Sequence, residues 1–294
     1  MSAMDQRATL RVLERGPRGR PLMLLRDVIK ASGLRWRSSW RRRRHTELAS
    51  ASSVKACLTA GERVLPLNQI ESEISGFLEW ARRLAPKRIC EIGVEGGGTH
   101  LALKFALGTV ELAIGVDLYV LNKEALAYFS RPAQREVLID GSSYAPPTVA
   151  RVEQTLSGEL LDLLFIDGDH SFDGAAQDFE RYRRLVRKGG IIAFHDVVED
   201  SATRTGYHTG TYTGGVPALW RQLRGQYPGL KEFVSSWEQD GYGIGAIVYD
   251  PEVVPALSKV AAEPARERAL LTESASDEAV PLAGTAPGAF QFRR

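Results

Sequence analysis

Two cysteines, Cys57 and Cys90, in a chain of 294 residues are too few for a disulfide framework, and their spacing matches no metal-binding pattern. A reducing, cytoplasmic location is the expectation that follows. No run of about 18 apolar residues occurs, so nothing in the sequence predicts a membrane span. An apolar N-terminal segment followed by a small-residue cleavage site is missing too, which argues against a secretory leader. No internal repeat is visible, and solenoid architectures are thereby excluded. What remains is an ordinary soluble composition, 44% hydrophobic and 25% charged, long enough for one large α/β domain with extensions or for two small domains.

The net charge of +2 conceals an asymmetry. Residues 1–45 hold thirteen basic and three acidic side chains, so the remainder carries an excess of eight negative charges. The basic segment ends in Arg41-Arg42-Arg43-Arg44 and is suited to a polyanion or a membrane surface, or to plain solvation. Residues 1–48 are therefore expected to be a basic N-terminal extension, partly disordered or helical, with a helix at 21–32 and with Trp36 and Trp40 packing on the domain. A domain over 49–250 follows. Residues 251–294 are expected to form a terminal helix (252–271) and an Ala/Pro/Ser/Gly-rich disordered tail.

Within the domain, Ile70, Ile74, Phe77, Leu78, Ala81 and Leu84 recur at helical spacing and predict an amphipathic helix. From Arg88 the pattern alternates. Apolar runs at Arg88–Gly93, Val110–Asp117, Glu136–Asp140, Leu161–Asp167 and Ile191–Asp196 read as strands. Helical stretches at Thr99–Leu107, Asn122–Ser130, Pro147–Leu156 and from Phe172 to a stop at Gly189-Gly190 separate them. Strands alternating with helices imply a doubly wound, mostly parallel sheet. The last third predicts a helix over Val216–Gln226 and two strands, Lys231–Trp237 and Tyr242–Tyr249, joined as an antiparallel hairpin at Asp240-Gly241.

Ligands of such sheets bind beyond the carboxyl ends of the strands, near the switch in strand order, so the residues delivered there carry the chemistry. The first strand leads into Glu91-Ile-Gly93-Val-Glu95-Gly96-Gly97-Gly98-Thr99, where glycines permit a tight turn and close approach to a ligand. Glu95 stands where the dinucleotide fingerprint needs its second glycine. Asp117, ending the second strand, can accept the hydroxyls of a ribose. Asp140-Gly141-Ser142, ending the third, can flank an adenine edge. The fourth strand ends in Asp167-Gly168-Asp169-His170 and the fifth in His195-Asp196. Oxygen and nitrogen ligands so placed suit Mg²⁺ or Mn²⁺, and a cation on a substrate hydroxyl makes its proton easier to remove. His170 is the candidate general base, its ordinary pKa being near neutrality.

These strings, with Ile114-Gly-Val-Asp117, Gly189-Gly-Ile-Ile-Ala-Phe-His-Asp196 and Gly241-Tyr-Gly-Ile-Gly-Ala-Ile-Val248, resemble class I S-adenosylmethionine-dependent methyltransferases. They are most similar to the group containing bacterial sugar and natural-product O-methyltransferases. The resemblance covers about residues 70–250. It implies a seven-stranded sheet with an antiparallel last strand, and S-adenosyl-L-methionine as methyl donor. It also implies that Glu91, Gly93, Gly97 and Thr99 sit at the methionine end, Asp117 at the ribose and Asp140, Gly141 and Ser142 at the adenine, with Asp167 bordering the cofactor. In metal-dependent relatives such as catechol O-methyltransferase the positions matched by Asp167, His195 and Asp196 bind the cation and that of His170 supplies the base. His195 in place of a carboxylate departs from that pattern.

The expected activity is O-methylation of a hydroxyl on a small molecule, such as a sugar or glycosylated natural product. Asp167 and Asp196 would hold the cation, with His195 as third ligand and His170 as base, under the loop 199–215 with Tyr207, His208 and Tyr212. Two other readings are an RNA or polyanion methyltransferase using the basic arm, which the acidic balance of the rest disfavours, and a nicotinamide-dependent oxidoreductase, which the glycine pattern disfavours. Homo-oligomers through the helix at 70–84 or the basic arm are compatible with the sequence.

Overall fold

Runs rich in Ile, Leu, Val and Phe that are buried on both sides become central parallel strands, and the strand Arg88–Ile92 (β1), buried from Ile89 onward, is one of them. The computed structural model describes residues 38–206 and 213–258, all within a compact unit formed by residues 1–260. The other strands are Leu112–Asp117 (β2), Arg135–Asp140 (β3), Leu161–Ile166 (β4), Val186–His195 (β5), Leu230–Phe233 (β6) and Ile244–Val248 (β7). They form one seven-stranded sheet in the order β3-β2-β1-β4-β5-β7-β6. The pairings from β3 across to β5 are parallel, and β7 runs antiparallel to both neighbours. The order reverses between β1 and β4, which opens a crevice at their carboxyl ends.

Helices cover both faces: Ser38–Ser50 (α1), Val54–Glu62 (α2), Glu71–Ala81 (α3), Gly98–Ala106 (α4), Lys123–Tyr128 (α5), Pro146–Leu156 (α6), Phe172–Tyr182 (α7), Ser201–Arg204 (α8) and Val216–Arg224 (α9). Alternation along each strand sorts the core into two layers. Ile89, Leu163, Phe165, Ala193 and Ala246 face a cluster built with Phe77 of α3 and Leu101 of α4. Cys90, Leu164, Ile192 and Phe194 face one built with Phe179 of α7 and Trp220 of α9. α1 crosses residue 48 and is seated on the domain: the Trp40 ring meets Phe129 edge-on at 6.4 Å, and His45 Nε2 lies 2.8 Å from Ser130 O.

Three expectations are corrected. Gly189-Gly190 does not end a helix. α7 gives way to a 3₁₀ turn at Arg183–Leu185, and both glycines lie inside β5. The register there jumps from Leu161↔Val186 to Leu163↔Ile191, a bulge in which Gly189 takes φ +76° and donates to Tyr249 O at 2.8 Å. The antiparallel β6–β7 hairpin is present, but its connection is longer than the turn expected at Asp240-Gly241: residues 234–243 intervene, and the Asp240 carboxylate accepts from Ser201 N at 2.6 Å. Residues 251–258 contain no helix. The helix at 21–32, Trp36, the rest of the terminal helix and the tail lie outside the described residues.

Candidate active site

Backbone close packing shapes the floor of the crevice. Gly93 has φ +86°, and a Cβ there would stand 1.9 Å from Asp167 O, so the first and fourth strand ends touch only because residue 93 lacks a side chain. A Cβ on Gly98 would likewise meet Pro66 O at 1.9 Å, whereas one on Gly96 would have nothing within 4 Å. Glu95 between them is held at φ +44° by its N–H donating to Asp117 Oδ2 at 2.8 Å. Asp117 also accepts from Tyr119 N at 3.0 Å. Its carboxylate therefore orders the turn as well as facing the crevice. Leu118 and Tyr119 beside it are 76% and 58% exposed, an apolar shelf at the mouth of β2.

The third strand end is tied differently. Asp140 accepts from Val120 N at 3.0 Å and pairs with Lys123, an ion pair that pulls its carboxyl below the ordinary range. Gly141 packs against Thr148, whose Oγ1 would lie 2.6 Å from an added Cβ. Beyond Ser142, Tyr144 donates to Asp169 Oδ2 at 3.1 Å. That contact links the third and fourth strand ends, and spacing in the sequence did not signal it. Thr99 accepts from Gln69 Nε2 at 3.3 Å.

The titratable cluster lies at the ends of β4 and β5. His170 Nε2 is 3.4 Å from Asp167 Oδ1 and its Nδ1 is 3.5 Å from Asp196 Oδ2. Asp167, His170 and Asp196 each direct one ligand atom into a space where these atoms lie within 4.8 Å of one another. Two carboxylate oxygens and one imidazole nitrogen form a donor set open to a divalent cation such as Mn²⁺, whereas Mg²⁺ prefers oxygen ligands alone. His195 lies beside that trio. Its ring is 4% exposed, and its Nδ1 turns to Asp167 Oδ1 at 3.2 Å with Asp196 Oδ1 at 3.4 Å. Burial opposes charge on His195, but Asp167 and Asp196 outweigh it and push the imidazolium up to about 9. Burial would raise Asp167, yet His195 and His170 hold its carboxyl well below the usual range. Protonated His195 offsets part of the charge of the two carboxylates beside it.

Strain marks the same place: Asp196 sits at φ +60° and Tyr242 at φ +64°, an arrangement typical of functional sites. Tyr242 N donates to Asp196 Oδ1 at 3.2 Å, and its ring meets His195 edge-on at 5.9 Å. The loop carrying Tyr242 is fastened by buried Glu73 of α3, which accepts from Ser235 N, Gln239 Nε2 and Gly243 N at 2.8–2.9 Å.

The carboxyl ends of β1, β2, β4 and β5 thus carry Gly93, Asp117, Asp167 with His170, and Asp196, of which Asp167, His170 and Asp196 converge. Glu91 is buried within β1, its Oε2 bound 2.9 Å from His100 Nδ1. Tyr207, His208 and Tyr212 lie outside the described residues. Their loop leaves and returns through buried Asp200, which accepts from Thr203 N at 2.7 Å and Thr213 N at 3.1 Å.

Residues 90–197 match the model of a methyltransferase domain family. An uncharacterized protein of Acanthamoeba polyphaga mimivirus is 50% identical over 36 residues, a match spanning 12% of this chain and 16% of that one. Among solved structures, an O-methyltransferase from Bacillus cereus in complex with SAH aligns at 17% identity over 76% of this chain and 96% of its own, with a TM-score of 0.49. The O-methyltransferase TomG from Streptomyces achromogenes, in complex with SAM, aligns at 18% identity over 74% and 98%, also with a TM-score of 0.49.

Proposed function

We propose that this chain, whose residues 90–197 match a methyltransferase domain model and whose sheet has the order β3-β2-β1-β4-β5-β7-β6, moves a methyl group from S-adenosylmethionine to a hydroxyl of a small molecule. One observation carries the reading: a glycine turn and a ribose-competent acid at the switch point stand beside the convergent trio Asp167, His170 and Asp196. S-adenosylmethionine, when bound, supplies a methyl on a sulfonium sulfur that already is a good leaving group. The chain therefore has to align the acceptor oxygen with that methyl and remove one proton. Gly96, where an added Cβ would have nothing within 4 Å, leaves room for close approach, and Asp117 receives the ribose hydroxyls. His170 takes the hydroxyl proton at Nε2, while Asp196, facing Nδ1 at 3.5 Å, stabilises the resulting imidazolium. Where Mg²⁺ or Mn²⁺ is present, Asp167 and Asp196 are its carboxylate ligands, and it would acidify the acceptor hydroxyl. Sugar hydroxyls are the first acceptor class to screen.

Isothermal titration with S-adenosylhomocysteine, with and without Mg²⁺ after chelator treatment, tests the reading. Micromolar binding in both runs supports it, and tighter binding with Mg²⁺ adds a coupled cation. No binding in either run would refute it.

A further inference from the structure

The sheet face under α4 carries a buried chain of ionisable groups that the proposed chemistry does not use. His100 is fully buried. Its Nδ1 lies 2.9 Å from Glu91 Oε2 and its Nε2 lies 2.8 Å from Glu136 Oε1. Lys104, one turn further along α4, pairs with Glu136 and donates to Leu126 O at 2.8 Å and Ser130 Oγ at 2.7 Å. The groups facing His100 are Glu91 from β1, Glu136 from β3 and Lys104 from its own helix. The intervening strand β2 offers Gly115, where an added Cβ would come within 3.2 Å of His100 Cε1 and 2.9 Å of Val94 Cγ2. The imidazole thus fills a recess that a glycine leaves open.

The placement of the first pair decides what it does. Glu91 stands two residues before Gly93 and His100 two residues after Gly98, so one hydrogen bond closes the base of the whole glycine turn. Glu136 and Lys104 then anchor that clasp to β3. We propose that His100 is a positioning residue, clasping the two ends of the 93–98 turn at the separation in which it receives S-adenosylmethionine. The inference rests on the function proposed above. Burial opposes charge on His100, but Glu136 and Glu91 outweigh it and hold the ring protonated up to about 9. Burial pushes Glu91 up to about 7 against the pull of His100, with Asp167 and Asp117 adding to the rise. The charged clasp is therefore complete between about pH 7, above which Glu91 is ionised, and about pH 9, and it loosens as the pH climbs through the upper value.

S-adenosylhomocysteine affinity of the full chain, measured by calorimetry from pH 7 to 10 beside thermal melts, tests this. His100→Gln should weaken binding about tenfold or more at pH 7.5 while the chain still melts cooperatively. The gap to wild type should narrow as the pH rises through 9; the ligand's own amine titrates in both proteins and drops out of the comparison. Glu136→Gln, which leaves the Glu91–His100 bond in place, should move the wild-type loss of affinity to lower pH, and it carries the test if His100→Gln does not fold. Wild-type affinity and an unmoved pH profile in the variants, with only the melting temperature lowered, would overturn the inference. Absence of binding to the wild-type chain would overturn the proposed function and this inference with it.

Discussion

Gly93→Ala should remove both folding stability and ligand binding, and its size can be worked from the backbone. The new methyl would sit 1.9 Å from Asp167 O, 2.4 Å from Asp167 C and 2.8 Å from Gly168 Cα, all main-chain atoms that cannot rotate away. To reach ordinary van der Waals contact the Asp167–Gly168 backbone must retreat by more than about 1 Å, and overpacking of that kind costs about 1–3 kcal/mol. The residue also needs φ +86°, which costs an L side chain about 1–2 kcal/mol. Retreat stretches the bonds from Gly93 N to Val116 O and from Asp167 N to Ile92 O, both 2.8 Å, each contributing about 1 kcal/mol. The total, on the order of 3–6 kcal/mol, is a large part of a typical domain's stability and corresponds to a fall in melting temperature of about 10 °C or more.

Gly96→Ala is the internal control. Its Cβ would have nothing within 4 Å, so the melt should move by less than about 0.5 kcal/mol, while S-adenosylhomocysteine affinity drops because the methyl occupies the ligand's approach. Differential scanning calorimetry and titration calorimetry on the two variants separate the effects. A Gly93→Ala protein that melts within about two degrees of wild type would refute the close-packing argument. Undiminished binding by Gly96→Ala would show that the ligand does not lie over this turn.

Three further outcomes follow from the same geometry. Asp178 on α7 is fully buried, and burial pushes its carboxyl up to about 7. An acid whose folded pKa is raised binds its proton more tightly than the unfolded chain does, so stability is greatest at low pH and falls between about pH 4 and 7. Asp178→Asn should abolish that slope, worth on the order of 4 kcal/mol, and a pH series of urea melts parallel to wild type would contradict it. Asp167→Asn should lose Mn²⁺ retention measured by electron paramagnetic resonance, and retention unchanged from wild type would remove Asp167 from the ligand set. His170→Ala should lower turnover about 10²–10⁴-fold on any hydroxyl that the wild type methylates, with S-adenosylhomocysteine affinity kept within about threefold. Unchanged turnover would take the base role from His170.

The sheet was legible because each parallel strand is a near-continuous apolar run ending in Gly or Asp, a pattern set by burial on both faces. The same local logic failed at Gly189-Gly190, where a glycine pair reads as a stop signal but serves a bulge pinned by β7, an element some 55 residues later. The His/Asp cluster at the ends of β4 and β5 was less legible. Spacing placed His170 and His195 at adjacent strand ends without telling which ring points inward, and the answer depends on His195 spending Nδ1 on Asp167. Most opaque was the His100 clasp. A histidine at the start of a helix reads as a solvated side chain, and its partners lie 9 residues before it and 36 after. Only the pairing of β2 between β1 and β3 brings Glu91, Gly115 and Glu136 under one imidazole. Period-2 alternation does mark Glu91 and Glu136 as inward-facing acids on buried strands, and unpaired buried carboxylates are costly. That cost is the usable signal: an acid on the buried face of a central strand requires a cation from the covering helix, and His100 and Lys104, four residues apart on α4, are the basic groups at the spacing that meets this requirement.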